Sequence, residues 1–248
     1  MVLVAVVIPT YNEAENIGRV LESLESTSSV VNFDIHVLVV DDSSVDGTVE
    51  IVEDFRKRFG NVSLLRRPGK LGLGSAYVDG FRWCLKNLGD FAAAVEMDAD
   101  GSHDPGQLPS LVEPILEGRA HVVVGSRYIK GGGWRDGGFL RKLISRGANL
   151  LVRLTVGLGV RDATSGYRAI ARKVLEEAFT EDRQYESGYI FQVETLNQYR
   201  LLGFKIIEVP INFYERGGGK SKLGLGELAS FASWCLRQSG RRIFGRAT

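Results

Sequence analysis

Two aspartates one residue apart, Asp98 and Asp100, directly follow the apolar run at 91–97. A second acidic pair, Asp41-Asp42, closes the run at 35–40, and Pro9-Thr10-Tyr11-Asn12-Glu13 follows the run at 2–8. Carboxylates brought together in one cleft repel unless a cation or a donor-rich ligand joins them. A hard divalent ion held by one or two carboxylates plus substrate phosphates suits this set, so Asp98 and Asp100 are candidate ligands for Mg²⁺ or Mn²⁺.

Phosphate charge would also need cations, and they are clustered. Between Arg127 and Arg153 stand seven Arg or Lys residues, at 127, 130, 135, 141, 142, 146 and 153, against one acid, Asp136. Arg216, Lys220 and Lys222 surround a run of three glycines, and Gly131-Gly132-Gly133 lies near Arg127. Both glycine-rich loops read as candidate lids over phosphates. The histidines His36, His103 and His121 are scattered; His103, just past Asp100, is expected to serve packing rather than chemistry.

These residues need elements to position them. Short β-branched runs alternate with helical patterns: strands over 2–8, 35–40, 62–65, 91–97 and 121–124, helices over 14–25, Thr48–Arg58, 75–86 and 105–117. Such alternation predicts an α/β fold with a mostly parallel central sheet flanked by helices, and ligands then sit beyond the carboxyl ends of the strands. Past Arg127 the alternation breaks into a Gly-rich loop, a basic amphipathic helix over 139–158 and a turn-rich stretch around 162–168. A helix over 189–202, strands over 205–209 and 211–214, a polar loop over 216–226 and a terminal helix complete the chain. The domain reading is one catalytic unit over 1–226, with the basic amphipathic helix 227–248 part of it or appended to it.

The 248 residues are 44% hydrophobic and 25% charged with a formal net charge of +1, an ordinary globular balance without a global field for nucleic acid. Cys84 and Cys235 lie far apart and in no metal-type spacing, which suits packed thiols in a reducing compartment. No run approaches the ~18 apolar residues of a spanning helix, so a lipid substrate would be met from the water side. Leucines and isoleucine at 140, 143, 144, 150, 151 and 154 interleave with the basic residues, a pattern for an anionic membrane surface or a lipid phosphate. A nicotinamide-binding fold is disfavoured, because the first strand-to-helix turn carries side chains where a pyrophosphate needs bare glycine backbone.

Taken together the segments resemble the dolichol-phosphate mannose synthases, or polyprenol monophosphomannose synthases, of glycosyltransferase family 2 with a GT-A type fold. The resemblance rests on Val7-Ile8-Pro9-Thr10-Tyr11-Asn12-Glu13, Val40-Asp41-Asp42-Ser43-Ser44, Lys70-Leu71-Gly72-Leu73-Gly74, Met97-Asp98-Ala99-Asp100, Gly125-Ser126-Arg127-Tyr128, Arg141-Lys142-Leu143-Ile144-Ser145, Asp162-Ala163-Thr164-Ser165-Gly166-Tyr167 and Arg216-Gly217-Gly218-Gly219-Lys220-Ser221-Lys222. It implies mannose transfer from GDP-mannose to a polyprenyl phosphate with inversion. Pro9, Tyr11, Glu13 and Asp42 would hold the guanosine, with Lys70 close by. Asp98 and Asp100 would engage metal and diphosphate, Arg127 the sugar-phosphate region, Arg141 and Ser145 the acceptor phosphate, and Arg216 with Lys222 the donor phosphates. Asp100, Arg127 and Arg216 are the catalytic candidates. Some relatives carry Gln where this chain has Ser102, making Ser102 a weaker candidate metal ligand. The resemblance also implies a peripheral enzyme at the cytoplasmic face of a membrane, where some relatives rely on a separate membrane subunit. A UDP-glucose-dependent transferase and a non-catalytic nucleotide-sugar-binding module are the alternatives.

Overall fold

The computed structural model describes residues 1–136, 138–179, 185–186, 188–214 and 225–244, without the side chains of 225 and 240–244. In chain order the elements are β1 (Leu3–Thr10), α1 (Ala14–Ser28), β2 (Asp34–Asp41), α2 (Thr48–Arg58), β3 (Val62–Arg66), α3 (Leu73–Asn87) and β4 (Phe91–Glu96). A 3-10 turn, Pro105–Gln107, leads into α4 (Leu108–Leu116), followed by β5 (Val122–Ser126), β6 (Gly133–Trp134) and α5 (Phe139–Thr155). Then come β7 (Arg168–Ala171), α6 (Arg172–Ala178), α7 (Tyr189–Leu201), β8 (Ile206–Pro210), β9 (Asn212–Phe213) and α8 (Leu225–Phe244).

Seven strands form one sheet in the order β3-β2-β1-β4-β7-β5-β8, and only β7 runs against the rest. The expected mostly parallel α/β sheet is therefore present. β1 and β2 read as unbroken apolar runs because both faces are covered. Val4, Val6 and Ile8 pack on one side with Ile17, Leu21 and Leu111, while Ala5 and Val7 pack on the other with Tyr77, Phe81 and Phe191. Burying each such Val or Ile contributes about 1.5–3 kcal/mol.

Three differences from the sequence reading concern the elements around the site. The stretch read as turns contains β7, a four-residue strand inserted between β4 and β5; its first residue, Arg168, is fully buried, which is why it does not read as a strand. The Gly-rich segment is anchored rather than loose in its described part. β6 pairs with β9, and a Cβ at Gly132 would run into the Ser126 carbonyl. α5 ends at Thr155, short of the expected 158, and packs against α8, which buries Phe231, Trp234 and Cys235. Among the described residues no helix is long and apolar enough to cross a membrane.

Candidate functional site

The carboxyl ends of β1 and β2 are laced into one scaffold. Thr10 Oγ1 donates to Asp41 at 2.9 Å, the Asn12 amide donates to Ser44 Oγ at 2.9 Å, and the Val45 amide donates to Asn12 Oδ1 at 3.0 Å. Asn12 and Ser43 sit at φ 55° and 58°, left-handed conformations that non-glycine residues adopt only where the surroundings hold them. Beside this scaffold Lys70 Nζ lies 4.2 Å from the centroid of the Tyr11 ring, so two of the residues expected at the nucleotide base are brought together. Pro9 and Glu13 are half-buried on the same edge; the Glu13 carboxylate accepts from Asn16 Nδ2 at 3.1 Å.

Asp42 is 5% exposed and its carboxylate is occupied. Arg67 Nε donates to one oxygen at 2.6 Å and Arg67 Nη2 pairs with it too; the amides of Leu71 and Gly72 donate to the other, each at 3.0 Å. Gly72 stands at φ +98°, where an L side chain would be strained. Asp42 thus shapes the loop that carries Lys70. Arg67, which the sequence reading did not single out, completes the frame through Ser75 Oγ at 2.8 Å, Asp79 at 3.0 Å and the Gly72 carbonyl at 3.0 Å. Asp41 is likewise engaged by Thr10 and Ser44. The expected crowd of acids therefore resolves into Asp41, held by Thr10 and Ser44, Asp42, paired with Arg67, and Asp98 with Asp100, which line a cleft.

That cleft has three kinds of wall. Asp98, Asp100 and His103 form its acidic end; Arg127, just past β5, and Arg141 and Ser145 of α5 face it; Trp134, Ile144, Ala148, Phe213, Leu228 and Phe231 are its apolar lining, with Glu227 beside them. Asp100 is 4% exposed and accepts the Ser102 amide at 3.0 Å, whereas the Asp98 side chain is 31% exposed. Among the described residues no group of three or more His, Cys, Asp or Glu could hold a metal alone. Two carboxylates open on one side suit an ion whose other ligands are phosphate oxygens and water. Ser102 is fully buried with an unpartnered Oγ and is not part of the cleft lining.

His103 is as buried as a packing residue, stacked on Tyr167 at 4.7 Å, yet it also lines the cleft. Its Nδ1 accepts the Asp98 amide at 3.1 Å, which fixes the turn that aims Asp98. Burial lowers its pKa to about 4, so the ring is neutral near pH 7.

Arg127 is locked. Its Nε and Nη2 donate to the two oxygens of Asp162 at 2.8 and 2.7 Å, and its own amide donates to Asp162 at 2.9 Å. Asp162 is fully buried and Arg127 has an 8% exposed side chain. The guanidinium also stacks 4.7 Å from the Trp134 ring, with Arg141 at 5.7 Å from the same ring. Trp134, on β6, explains why that segment is anchored. On α5, Arg141 and Ser145 are one turn apart on the cleft side, and Tyr128 Oη donates to Ser145 Oγ at 2.8 Å. Arg216 and Lys222 lie outside the described residues.

Behind the Asp98 turn, Glu96 and Arg168 stand opposite each other on β4 and β7, both fully buried. Arg168 donates to the Gln192 and Ala163 carbonyls, each at 2.7 Å, tying α7 and the 162–166 loop to β7 beside β4. Neither Glu96 oxygen is in a well-formed hydrogen bond with a described residue, although the Gln192 side chain is close enough to favour the charged form. Burial pushes Glu96 up to about 7, against the lowering effect of Arg168. The folded state then holds this proton more tightly than the unfolded chain does. The associated stability is full below about pH 4.5 and is lost as pH rises through about 7. Glu96→Gln is expected to gain on the wild type by on the order of 3 kcal/mol between pH 4.5 and 8, read by denaturant unfolding at both values. Parallel pH profiles for the two proteins would contradict this.

The chain is similar to known proteins in sequence and in fold. A family model described as glycosyl transferase family 2 matches residues 5–179. Polyprenol monophosphomannose synthase of Mycolicibacterium smegmatis is 39% identical over 219 residues, 88% of this chain and 80% of that protein. Undecaprenyl-phosphate mannosyltransferase of Micrococcus luteus is 42% identical over 223 residues, 90% of this chain and 88% of that protein. Among solved structures, glucosyl-3-phosphoglycerate synthase from Mycobacterium tuberculosis in complex with Mn²⁺, UDP and glucosyl-3-phosphoglycerate superposes with a TM-score of 0.64 at 22% identity, covering 95% of this chain and 78% of that one. That likeness speaks for the GT-A type fold. Since the matched segment runs from within β1 to the end of α6 and carries the Asp98–Asp100 turn, the Asp42 loop and Arg127, the chain belongs to glycosyl transferase family 2.

Proposed function

We propose that the protein transfers mannose from GDP-mannose to a polyprenyl monophosphate, inverting the anomeric centre. The observation that carries this reading is a single cleft in which Asp98, Asp100, Arg127, Arg141 and Ser145 meet an apolar wall that suits a lipid chain. The names of the two relatives support both the sugar and the class of acceptor.

The acceptor phosphate has a second pKa near ~6 and is largely dianionic at neutral pH, so it needs no general base to attack. This agrees with His103, the histidine of the cleft, being held neutral and hydrogen-bonded to backbone. What the site must do is bring an anion to an anionic donor and stabilise the diphosphate as it leaves. Arg141 and the Ser145 hydroxyl receive the acceptor phosphate, while Arg127, oriented by Asp162, faces the sugar-phosphate region. Asp98 and Asp100 would hold Mg²⁺ or Mn²⁺, which when bound supplies positive charge to the donor diphosphate. Pro9, Tyr11, Glu13 and Lys70 hold the base, with Asp42 acting through the loop it organises. Arg216 and Lys222 complete the donor clamp. The C-terminal helix is read as part of the same unit, a reading supported by Leu228 and Phe231 in the cleft lining. The enzyme works as a peripheral protein at the cytoplasmic face of a membrane, with a separate anchoring subunit compatible with this placement.

The test is incubation with tritiated GDP-mannose, Mg²⁺ or Mn²⁺ and a polyprenyl phosphate in detergent, with label counted in the organic phase. EDTA-sensitive label is expected; none with GDP-mannose but transfer from UDP-glucose would overturn the donor assignment. In the same assay Arg141→Gln is expected to raise the acceptor KM by about 30-fold, the worth of one charge-assisted hydrogen bond, with the donor KM unchanged. An equal change in both would remove Arg141 from the acceptor site.

A further inference from the structure

α5 presents three separate faces. At about 100° per residue, Arg141, Ser145 and Ala148 look into the cleft, while Phe139, Leu143, Leu150 and Leu154 fall within a ~60° arc pointing away from it. These four apolar side chains are 80%, 54%, 54% and 70% exposed. Along one edge of that arc run Arg146 and Arg153, and α5 contains no acid at all. Arg161, from the following loop, joins them around an open basic hollow that Tyr128 and Asn149 also line and that Arg127 borders on the side of the cleft. The neighbouring acids are already engaged: Asp162 holds Arg127, and the Glu208 carboxylate accepts the amides of Arg161 and Asp162 at 2.8 and 3.0 Å.

We propose that Arg146, Arg153 and Arg161 form a second anion site, distinct from the acceptor site, that binds the phosphate headgroup of an anionic bilayer lipid while Phe139, Leu143, Leu150 and Leu154 enter the acyl boundary. An apolar stripe bordered by cations on a helix that carries no acid fits an anionic lipid surface in both charge and hydrophobicity. The inference builds on the proposed lipid acceptor, because the same helix would then hold a lipid phosphate on one face and the bilayer on another. The acceptor would enter along α5 without leaving the membrane surface.

Binding can be read without catalysis, by co-sedimentation with vesicles that contain no polyprenyl phosphate. The wild type is expected to bind phosphatidylglycerol-containing vesicles and to bind pure phosphatidylcholine vesicles much more weakly. Arg153→Gln/Arg161→Gln should lose about 30-fold in affinity for the anionic vesicles, roughly five-fold per cation. Transfer to a short-chain, water-soluble prenyl phosphate without vesicles should stay at the wild-type rate for this variant, and Leu150→Glu/Leu154→Glu should abolish vesicle binding with an unchanged melting temperature. Equal binding of the arginine variant and the wild type, or of both vesicle types, would overturn the headgroup site. So would absence of vesicle binding together with concentration-dependent self-association, which would give the face to a second copy of the chain. A wild type that binds anionic vesicles but transfers no mannose would leave this site standing and remove the proposed function instead.

Discussion

Asp100→Ala is expected to lower sugar transfer by at least ~10³-fold while leaving the protein folded. Asp100 is almost wholly buried at the end of the β4 turn and reaches the cleft beside Asp98. Within the turn it accepts a hydrogen bond from the Ser102 amide, worth about 1 kcal/mol. Removing it also removes the repulsion between its carboxylate and that of Asp98, which lines the same cleft. Stability should therefore change by no more than ~1–2 kcal/mol, in contrast to activity. The measurement pairs initial transfer rates with thermal melting, and adds Mn²⁺ binding in the presence of GDP by electron paramagnetic resonance. A variant that melts normally, binds no Mn²⁺ and transfers no sugar bears out the assignment. One that keeps a tenth of the activity would place the critical carboxylate elsewhere.

The fold was legible because the strands at its centre are buried on both faces. Their apolar runs end at turns rich in polar side chains, which is how Asp98 and Asp100 could be singled out from position and spacing, whereas Tyr11 is picked out among the residues after β1 by the family resemblance. What stayed hidden depends on partners distant in sequence. Asp42 looks like a nucleotide-binding acid in the sequence, yet its oxygens meet Arg67 and the amides 29 and 30 residues further on. Arg127 looks like a free phosphate-binding cation, yet Asp162, 35 residues away, neutralises it. β7 escaped notice because a strand led by a buried arginine breaks the apolar pattern that marks its neighbours. The importance of Trp134 follows from the β6–β9 pairing, which two-residue strands do not announce.

The locked arginine leads to the largest expected effect on stability. Asp162→Asn keeps the shape of the side chain but removes the charge opposite a guanidinium with little access to water. Breaking one partner of such a buried pair costs about 3–5 kcal/mol, because the remaining ion is left without its counter-charge. For a chain of this length that corresponds to a fall in melting temperature of roughly 6–20 °C. Function should fall as well, for a separate reason. Asp162 fixes the plane of Arg127 through two parallel hydrogen bonds, while Asn149 and Thr164 brace it through the amide–hydroxyl contact at 2.9 Å and Asn149 Nδ2 to Asp162 at 3.4 Å. Without that clamp the guanidinium can turn toward Asp98 and Asp100, which line the same cleft. On the proposed reading this lowers kcat by about 10²-fold even at temperatures where the variant is fully folded. Comparing kcat at 15 °C with unfolding by urea separates the two effects. A loss of stability with wild-type kcat would make the pair purely structural, whereas loss of both, with partial recovery of stability in Asp162→Asn/Arg127→Met, would show that Asp162 holds the charge that Arg127 brings to the reaction.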